Sequence, residues 1–213
     1  METLEIMPVR VRITAILRKA IYSGEYKSGD ELSLTDIAAR LGISRTPVRE
    51  AFQELETEGL ITLRMNKGAI VNTIDRKFVQ DIFETRILLE SEAAARAAKN
   101  GMETETLLRR LYELGDHFDQ TGKEEYVCLN QDIHMSIWKA AQNHQMKKFL
   151  LEMWNGPSVF GGENAEADHY RKSTAEHISI LRFISDGMAE DARKAMERHI
   201  ARSMDNILAG YSE

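Results

Sequence analysis

The chain has 213 residues, of which 29% are charged and 43% hydrophobic, the balance of an ordinary globular protein of one large or two small domains. The single cysteine, Cys128, excludes an internal disulfide framework. No apolar run reaches the ~20 residues of a membrane span or forms a signal-peptide core, so a cytoplasmic protein with no membrane partner is expected.

Net charge is −6, which argues at first against nucleic acid. The charge is uneven, however: residues 1–74 carry 10 basic and 10 acidic side chains, and residues 75–213 carry 18 and 24. A DNA-binding face in the first part must therefore gather its arginines on one side.

Only Pro8, Pro47 and Pro157 interrupt the chain, so most of it is free to be helical. A first helix is predicted from about Val9 to Ser23, with Ile13, Ile16, Leu17, Ala20 and Ile21 at helical spacing and Gly24 closing it. A second starts at Ser33, with Asp36 three residues on in a capping-box arrangement. It turns Ile37, Ala38 and Leu41 inward and stops at Gly42. A third is capped by Ser44, tolerates Pro47 in its first turn, and runs to about Glu58 before Gly59. Residues 60–73 are the one stretch that reads as β, a hairpin around Asn66-Lys67-Gly68. After Asp75 the pattern is helical almost to the end. Residues 1–75 are thus expected to form a winged helix-turn-helix domain, and residues 76–213 an all-helical bundle.

In the third helix Val48, Ala51, Phe52 and Leu55 form the inward stripe, leaving Arg45, Thr46, Arg49 and Gln53 outside. A helix of this width enters the major groove, where arginine takes two bonds from guanine. Ser44 and Thr46 at its N-terminus suit a phosphate. Lys67 at the wing tip would reach a neighbouring phosphate or the minor groove, and Gly68 would let the wing backbone come close. A solvated helix face is the bland alternative; the cap, the Gly42 turn and the wing together favour a DNA reader.

Residues 32–51, LSLTDIAARLGISRTPVREA, followed by LETEGLI at 55–61, resemble the GntR family of bacterial transcription regulators. The resemblance implies that Arg45, Thr46 and Arg49 contact bases and phosphates and that Lys67 and Gly68 form the wing contact. Several members place an arginine where this chain has Thr35, so the operator contact at Thr35 is altered.

The second part carries polar groups on inward stripes. Val127, Asn130, His134, Ile137, Trp138 and Ala141 share one, on a helix expected from about Glu124 to Ala141. Thr174, His177, Ile178, Leu181 and Ile184 share another; Ala192, Ala195, Met196, His199 and Ser203 share a third. Buried imidazoles need partners. Each alone reads as a hydrogen-bonded core residue, whereas three converging stripes fit a ligand set for a zinc-like metal. Asp132 lies ~200° round the helix from Asn130 and does not easily substitute for it in that set. Arg86 shares a stripe with Val79, Ile82, Phe83 and Glu90, and reads equally as a grip for a carboxylate or as the i, i+4 partner of Glu90. His117, His144 and His169 read as solvated or loop-borne.

Residues 84–90, ETRILLE, with LNQDIH at 129–134, EHISIL at 176–181 and DARKAMERHI at 191–200, resemble the FCD ligand-binding domain of the FadR subfamily. The resemblance implies a divalent metal held by an aspartate and three histidines, at positions occupied here by Asn130, His134, His177 and His199. Asparagine in place of aspartate removes a charge from the set. Zinc, nickel or manganese is the implied ion and a small organic acid the implied effector, contacted by Arg86. A homodimer on a palindromic double-stranded operator is expected, acting as a repressor. A metal-free pocket and a domain serving dimerisation alone are the alternatives. A metallohydrolase is a remote one, because His-Glu-x-x-His, nucleophile-elbow and phosphate-loop motifs are missing; no enzymatic activity is expected.

Overall fold

The computed structural model of the chain describes residues 9–22, 24–65, 68–154 and 163–209, without the side chains of 116–124 and 163–167. By internal packing the chain falls into two units, one ending at Asp75 and the other starting at Arg76. The architecture is mainly helical with one small sheet, a winged helix-turn-helix followed by an all-helical domain.

The first unit contains α1 (Val9–Tyr22), β1 (Glu31–Leu32), α2 (Leu34–Leu41), α3 (Arg45–Thr57), β2 (Ile61–Arg64) and β3 (Gly68–Val71). Its core joins Ile13, Leu17 and Ile21 of α1 to Val48, Phe52 and Leu55 of α3. Arg18 of α1 donates from Nε at 2.8 Å to Oε2 of Glu58, the C-cap residue of α3, and so ties the two helices through a partly buried ion pair. Ile16, placed by its spacing among the inward residues, is half exposed, and Leu41 is only half-buried.

Two caps hold α2. Ser33 Oγ accepts from Asp36 N at 3.3 Å, and Gly42, at φ +65°, supplies the left-handed residue that turns the chain toward α3. Ser44 differs from its prediction: it has N-cap backbone angles, but its side chain makes no cap hydrogen bond.

The sheet is antiparallel, in the order β1-β3-β2. The hairpin of β2 and β3 matches the sequence expectation, but β1 is additional. Two residues carry no readable period, and β1 exists because Glu31 and Leu32 pair with Ile70 and Ala69. Gly68 gains its explanation from this strand. It is buried at φ +91°, and a Cβ there would lie 2.0 Å from the Leu32 carbonyl oxygen. The close approach that needs glycine is that of β1.

The second unit contains α4 (Arg76–Lys99), α5 (Glu105–Ala140), α6 (His144–Trp154), α7 (Glu163–Ser185) and α8 (Ala189–Leu208). Ala93, Ala94, Ala97 and Ala98 of α4 and Ala192 and Ala195 of α8 are buried, and these small side chains let the two helices run closely together. Arg76 Nη1 donates to the Leu208 carbonyl at 3.1 Å, satisfying one of the orphan acceptors at the end of α8. The helix expected from Glu124 is the second half of the 36-residue α5, which passes through Gly115 without a break. Val127 is 47% exposed, and Tyr126, Leu129 and Ile133 fill the inward face in its place. No helix among the described residues is long and apolar enough to cross a membrane.

Candidate nucleic-acid interface and metal centre

α3 has two opposite faces. Val48, Ala51, Phe52 and Leu55 are fully buried, whereas Arg45, Thr46, Arg49 and Gln53 are exposed. Arg45 and Arg49 stand one turn apart and make no ion pair or hydrogen bond among the described residues. Three other arginines of the same unit are occupied, Arg18 by Glu58, Arg40 by Glu25 and Arg64 by Glu31, whereas Arg10 and Arg12 of α1 are exposed without an ion pair among the described residues. The two α3 guanidiniums therefore keep their full donor forks for another molecule. Ser44, with no bond to its own helix, leaves the first-turn N–H groups of α3 without a side-chain cap. Thr35 is exposed on α2. Lys67 lies outside the described residues, and Gly68 is interior to the sheet. Met65, at the start of the wing turn, is 90% exposed.

In the second unit α5, α7 and α8 bring His134, His177 and His199 together. All three are buried, and one ring nitrogen from each lies within 4.8 Å of the others. His134 Nε2 and His177 Nε2 are 3.2 Å apart. Two nitrogens sharing one zinc-like ion at bonds of about 2.0–2.1 Å in tetrahedral geometry stand about 3.3 Å apart. The spacing thus fits a shared ion as well as it fits a hydrogen bond.

The far sides of two rings are anchored. His134 Nδ1 donates to Glu90 Oε2, and His199 Nδ1 donates to Glu176 Oε2 at 2.7 Å. Each glutamate has its own arginine. Arg86 binds Glu90 Oε1 through Nε at 2.9 Å and Nη2 at 2.7 Å, and Arg202 grips both oxygens of Glu176 at 2.5 and 2.6 Å. Trp138 Nε1 adds a donor to Glu90 at 3.3 Å. Burial alone would raise the Glu90 carboxyl, but Arg86 and His134 outweigh it and hold the group down to about 2. For Glu176 burial likewise opposes ionisation, and the bonds from His199 and Arg202 bring it to about 2. His177 is pushed well below the usual imidazole range by burial, with further repulsion from His199 and His134. Burial also lowers His199, against the pull of Glu176. Neutral imidazole is the form that ligates metal. His177 Nδ1 is buried without a hydrogen-bond partner among the described residues.

Three of the four predicted ligands converge. Asn130 lies one turn before His134 but is only half-buried, with its amide oxygen 3.4 Å from the Tyr126 hydroxyl. Asp132 is exposed and pairs with Arg110 at 2.8 Å. Of the two readings of Arg86, the geometry is that of the i, i+4 pair with Glu90; the guanidinium also lies over the Phe83 and Trp154 rings, at 4.9 and 5.2 Å. His144 is exposed as expected, and the side chain of His117 lies outside the described residues. His169 corrects its prediction. It is buried on α7, and its Nδ1 accepts from Asn206 at 2.7 Å and Arg202 at 3.1 Å. Sequence reasoning also missed Glu90 and Glu176 as partners of histidines, because those contacts join residues 44 and 23 positions apart.

The family model for bacterial regulatory proteins of the gntR family matches residues 10–71, and that for the FCD domain matches residues 81–202. The HTH-type transcriptional regulator YdhC of Bacillus subtilis (strain 168) is 31% identical over 196 residues, covering 90% of this chain and 87% of its own length. The gluconate operon transcriptional repressor of the same organism is 38% identical over 149 residues, 68% of this chain and 58% of its own. Among solved structures, E. coli McbR/YncC superposes with a TM-score of 0.72 at 19% identity, covering 97% of this chain and 100% of that one. The chain belongs to the GntR family of bacterial transcription regulators, with a gntR-type DNA-binding domain followed by an FCD domain.

Proposed function

We propose that this protein is a metal-dependent, ligand-responsive repressor. As a homodimer it binds a palindromic operator, α3 of each protomer entering a major groove. Arg45 and Arg49 read base edges, Thr46 and the N-terminus of α3 with Ser44 hold phosphates, and Thr35 and Lys67 add flanking backbone contacts. Gly68 supports the wing from inside. Support comes from the two exposed arginines, with no ion pair among the described residues, on a helix whose opposite face is fully packed, and from relatives named repressors.

The observation that carries the sensory half is the buried trio of imidazoles, two of them tied at Nδ1 to carboxylates. The donor set fits a divalent transition metal, zinc, nickel or manganese. His134, His177 and His199 hold it through nitrogen, with Asn130 as a neutral fourth oxygen when its side chain turns from Tyr126. Such a metal supplies positive charge and open coordination positions for a small carboxylate metabolite. The residues around it exclude water and fix the rings. Arg86 faces the same interior, but its primary partner is Glu90, so the metal rather than a free guanidinium anchors the effector. The reading assigns no turnover to the site.

The test uses the full-length protein. An operator is selected from random duplex DNA, and its affinity is measured with and without zinc and a panel of small carboxylates. A two-fold symmetric site, released at least about tenfold by one carboxylate only when zinc is present, is expected. A symmetric site whose affinity ignores both zinc and every carboxylate would leave the FCD domain a dimerisation element and overturn the sensory half.

A further inference from the structure

We infer that Glu90 and Glu176 are positioning residues of the metal centre, each fixing the tautomer and orientation of one imidazole so that its Nε2 faces the shared site. The inference rests on reading His134, His177 and His199 as metal ligands.

One arrangement occurs twice, built from different helices. In the first, Arg86 and Glu90 of α4 reach His134 of α5. In the second, Arg202 of α8 holds Glu176 of α7, which returns to His199 of α8. The order is the same each time: guanidinium, carboxylate, imidazole Nδ1. A carboxylate only accepts, so the proton at Nδ1 is fixed and the Nε2 lone pair is left bare. The arginine binds the carboxylate and keeps it ionised, against full burial at Glu90 and partial burial at Glu176.

Stability gives little reason for such a pair. Glu90 is fully buried and Arg86 is 8% exposed, and a buried ion pair is on average no more stable than an apolar pair of equal volume. Two of them aimed at the same ring atom of two residues in one cluster point to a ligand for the opposite nitrogens. Outer carboxylates of this kind orient metal-bound histidines and raise their basicity. His177 shows what their absence looks like, since its Nδ1 has no partner among the described residues. The centre is therefore unequal: two rings have their tautomer set by a carboxylate at Nδ1, and the third, His177, has no such partner among the described residues. Each glutamate is itself paired with an arginine, so the two carboxylates orient the rings without replacing the charge missing at Asn130.

Glu90→Gln and Glu176→Gln each keep an acceptor oxygen and remove the charge. Zinc affinity of the full-length protein is measured by competition with a chelator of known affinity, beside the visible spectrum of the cobalt(II)-loaded form. Each variant is expected to bind zinc about 10- to 100-fold more weakly at unchanged one-to-one stoichiometry. The cobalt bands should shift while three histidines remain bound, a readout that a purely structural role would not move. Glu176 is 29% exposed, so Glu176→Gln decides the matter if Glu90→Gln fails to fold. Zinc affinity within twofold of the parent with unchanged cobalt bands would overturn the assignment. A parent protein that binds no zinc, or a His134→Ala variant that binds it unchanged, would instead overturn the metal reading itself.

Discussion

The two units set function against stability in opposite ways. In the DNA-binding unit the functional face of α3 is exposed and unpaired, and the face behind it is packed with Val48, Ala51, Phe52 and Leu55. One helix thus does two separable jobs. In the FCD unit the functional groups are the core. His134, His177 and His199 are buried, as are Trp138, Ile180 and Met196, and apart from His177 Nδ1 their hydrogen bonds run to one another or to Glu90 and Glu176. An exposed arginine without an intramolecular partner is free of folding constraints. A buried histidine must first be satisfied by its own chain, so in this unit a change to the site is also a change to the fold.

Substitutions break that comparison at graded strength. The largest effect belongs to the hidden face of α3. Phe52→Ala removes a fully buried ring joining α3 to α1 and should cost about 3–5 kcal/mol, measured by denaturant unfolding of the first unit. DNA binding should fall only as far as the folded fraction falls. Next comes His177→Ala, which removes a ligand outright. Zinc affinity should drop by more than about 100-fold, beyond the loss expected for an outer partner. Unlike Phe52→Ala, it should leave operator affinity measured without zinc unchanged. An unchanged zinc affinity would remove His177 from the ligand set. Third is Arg49→Ala on the exposed face. It should weaken operator binding by about 1–3 kcal/mol, read by fluorescence anisotropy, and relax specificity at one base position. Its unfolding free energy should stay within about 0.5 kcal/mol of the parent. A large stability loss in Arg49→Ala would mean that the two faces of α3 are coupled after all.

The same contrast explains what was legible in the sequence. Period and punctuation are local, so α1, α2, α3 and the β2–β3 hairpin could be read directly. Ser33, Gly42 and the stripe of α3 each announce themselves within a few residues. The histidine stripes were legible for the same reason, since His134, His177 and His199 each fall on a helical period with apolar neighbours. What escaped depends on distant partners. β1 is a strand only because β3 lies beside it. Gly68 looked like a ligand-facing glycine until the Leu32 carbonyl was placed against it. Val127 and Tyr126 are adjacent on α5, and periodicity placed Val127 inward where packing against other helices buries Tyr126 instead. Glu90 was seen only as the local partner of Arg86; its stronger claim on His134 comes from another helix. Local rules find the three histidines, and tertiary contacts supply the carboxylates bound to two of them.

The smallest expected effect lies in two serines that look alike in sequence. Ser33 and Ser44 both precede a helix of the first unit, and both have extended N-cap backbone angles. Ser33 Oγ accepts from Asp36 N at 3.3 Å, whereas Ser44 makes no cap bond. Ser33→Ala should therefore cost about 1 kcal/mol of stability. Its intrinsic operator affinity should not change. Ser44→Ala should cost less than about 0.5 kcal/mol in unfolding. If the uncapped start of α3 takes a DNA phosphate, Ser44→Ala should weaken operator binding about equally for matched and mismatched sequences, as loss of a backbone contact does. Equal stability losses at the two serines would mean that Ser44 caps α3 in solution. The first turn of α3 would then be satisfied by its own chain, and the separation of binding from stability on that helix would stop short of its N-terminus.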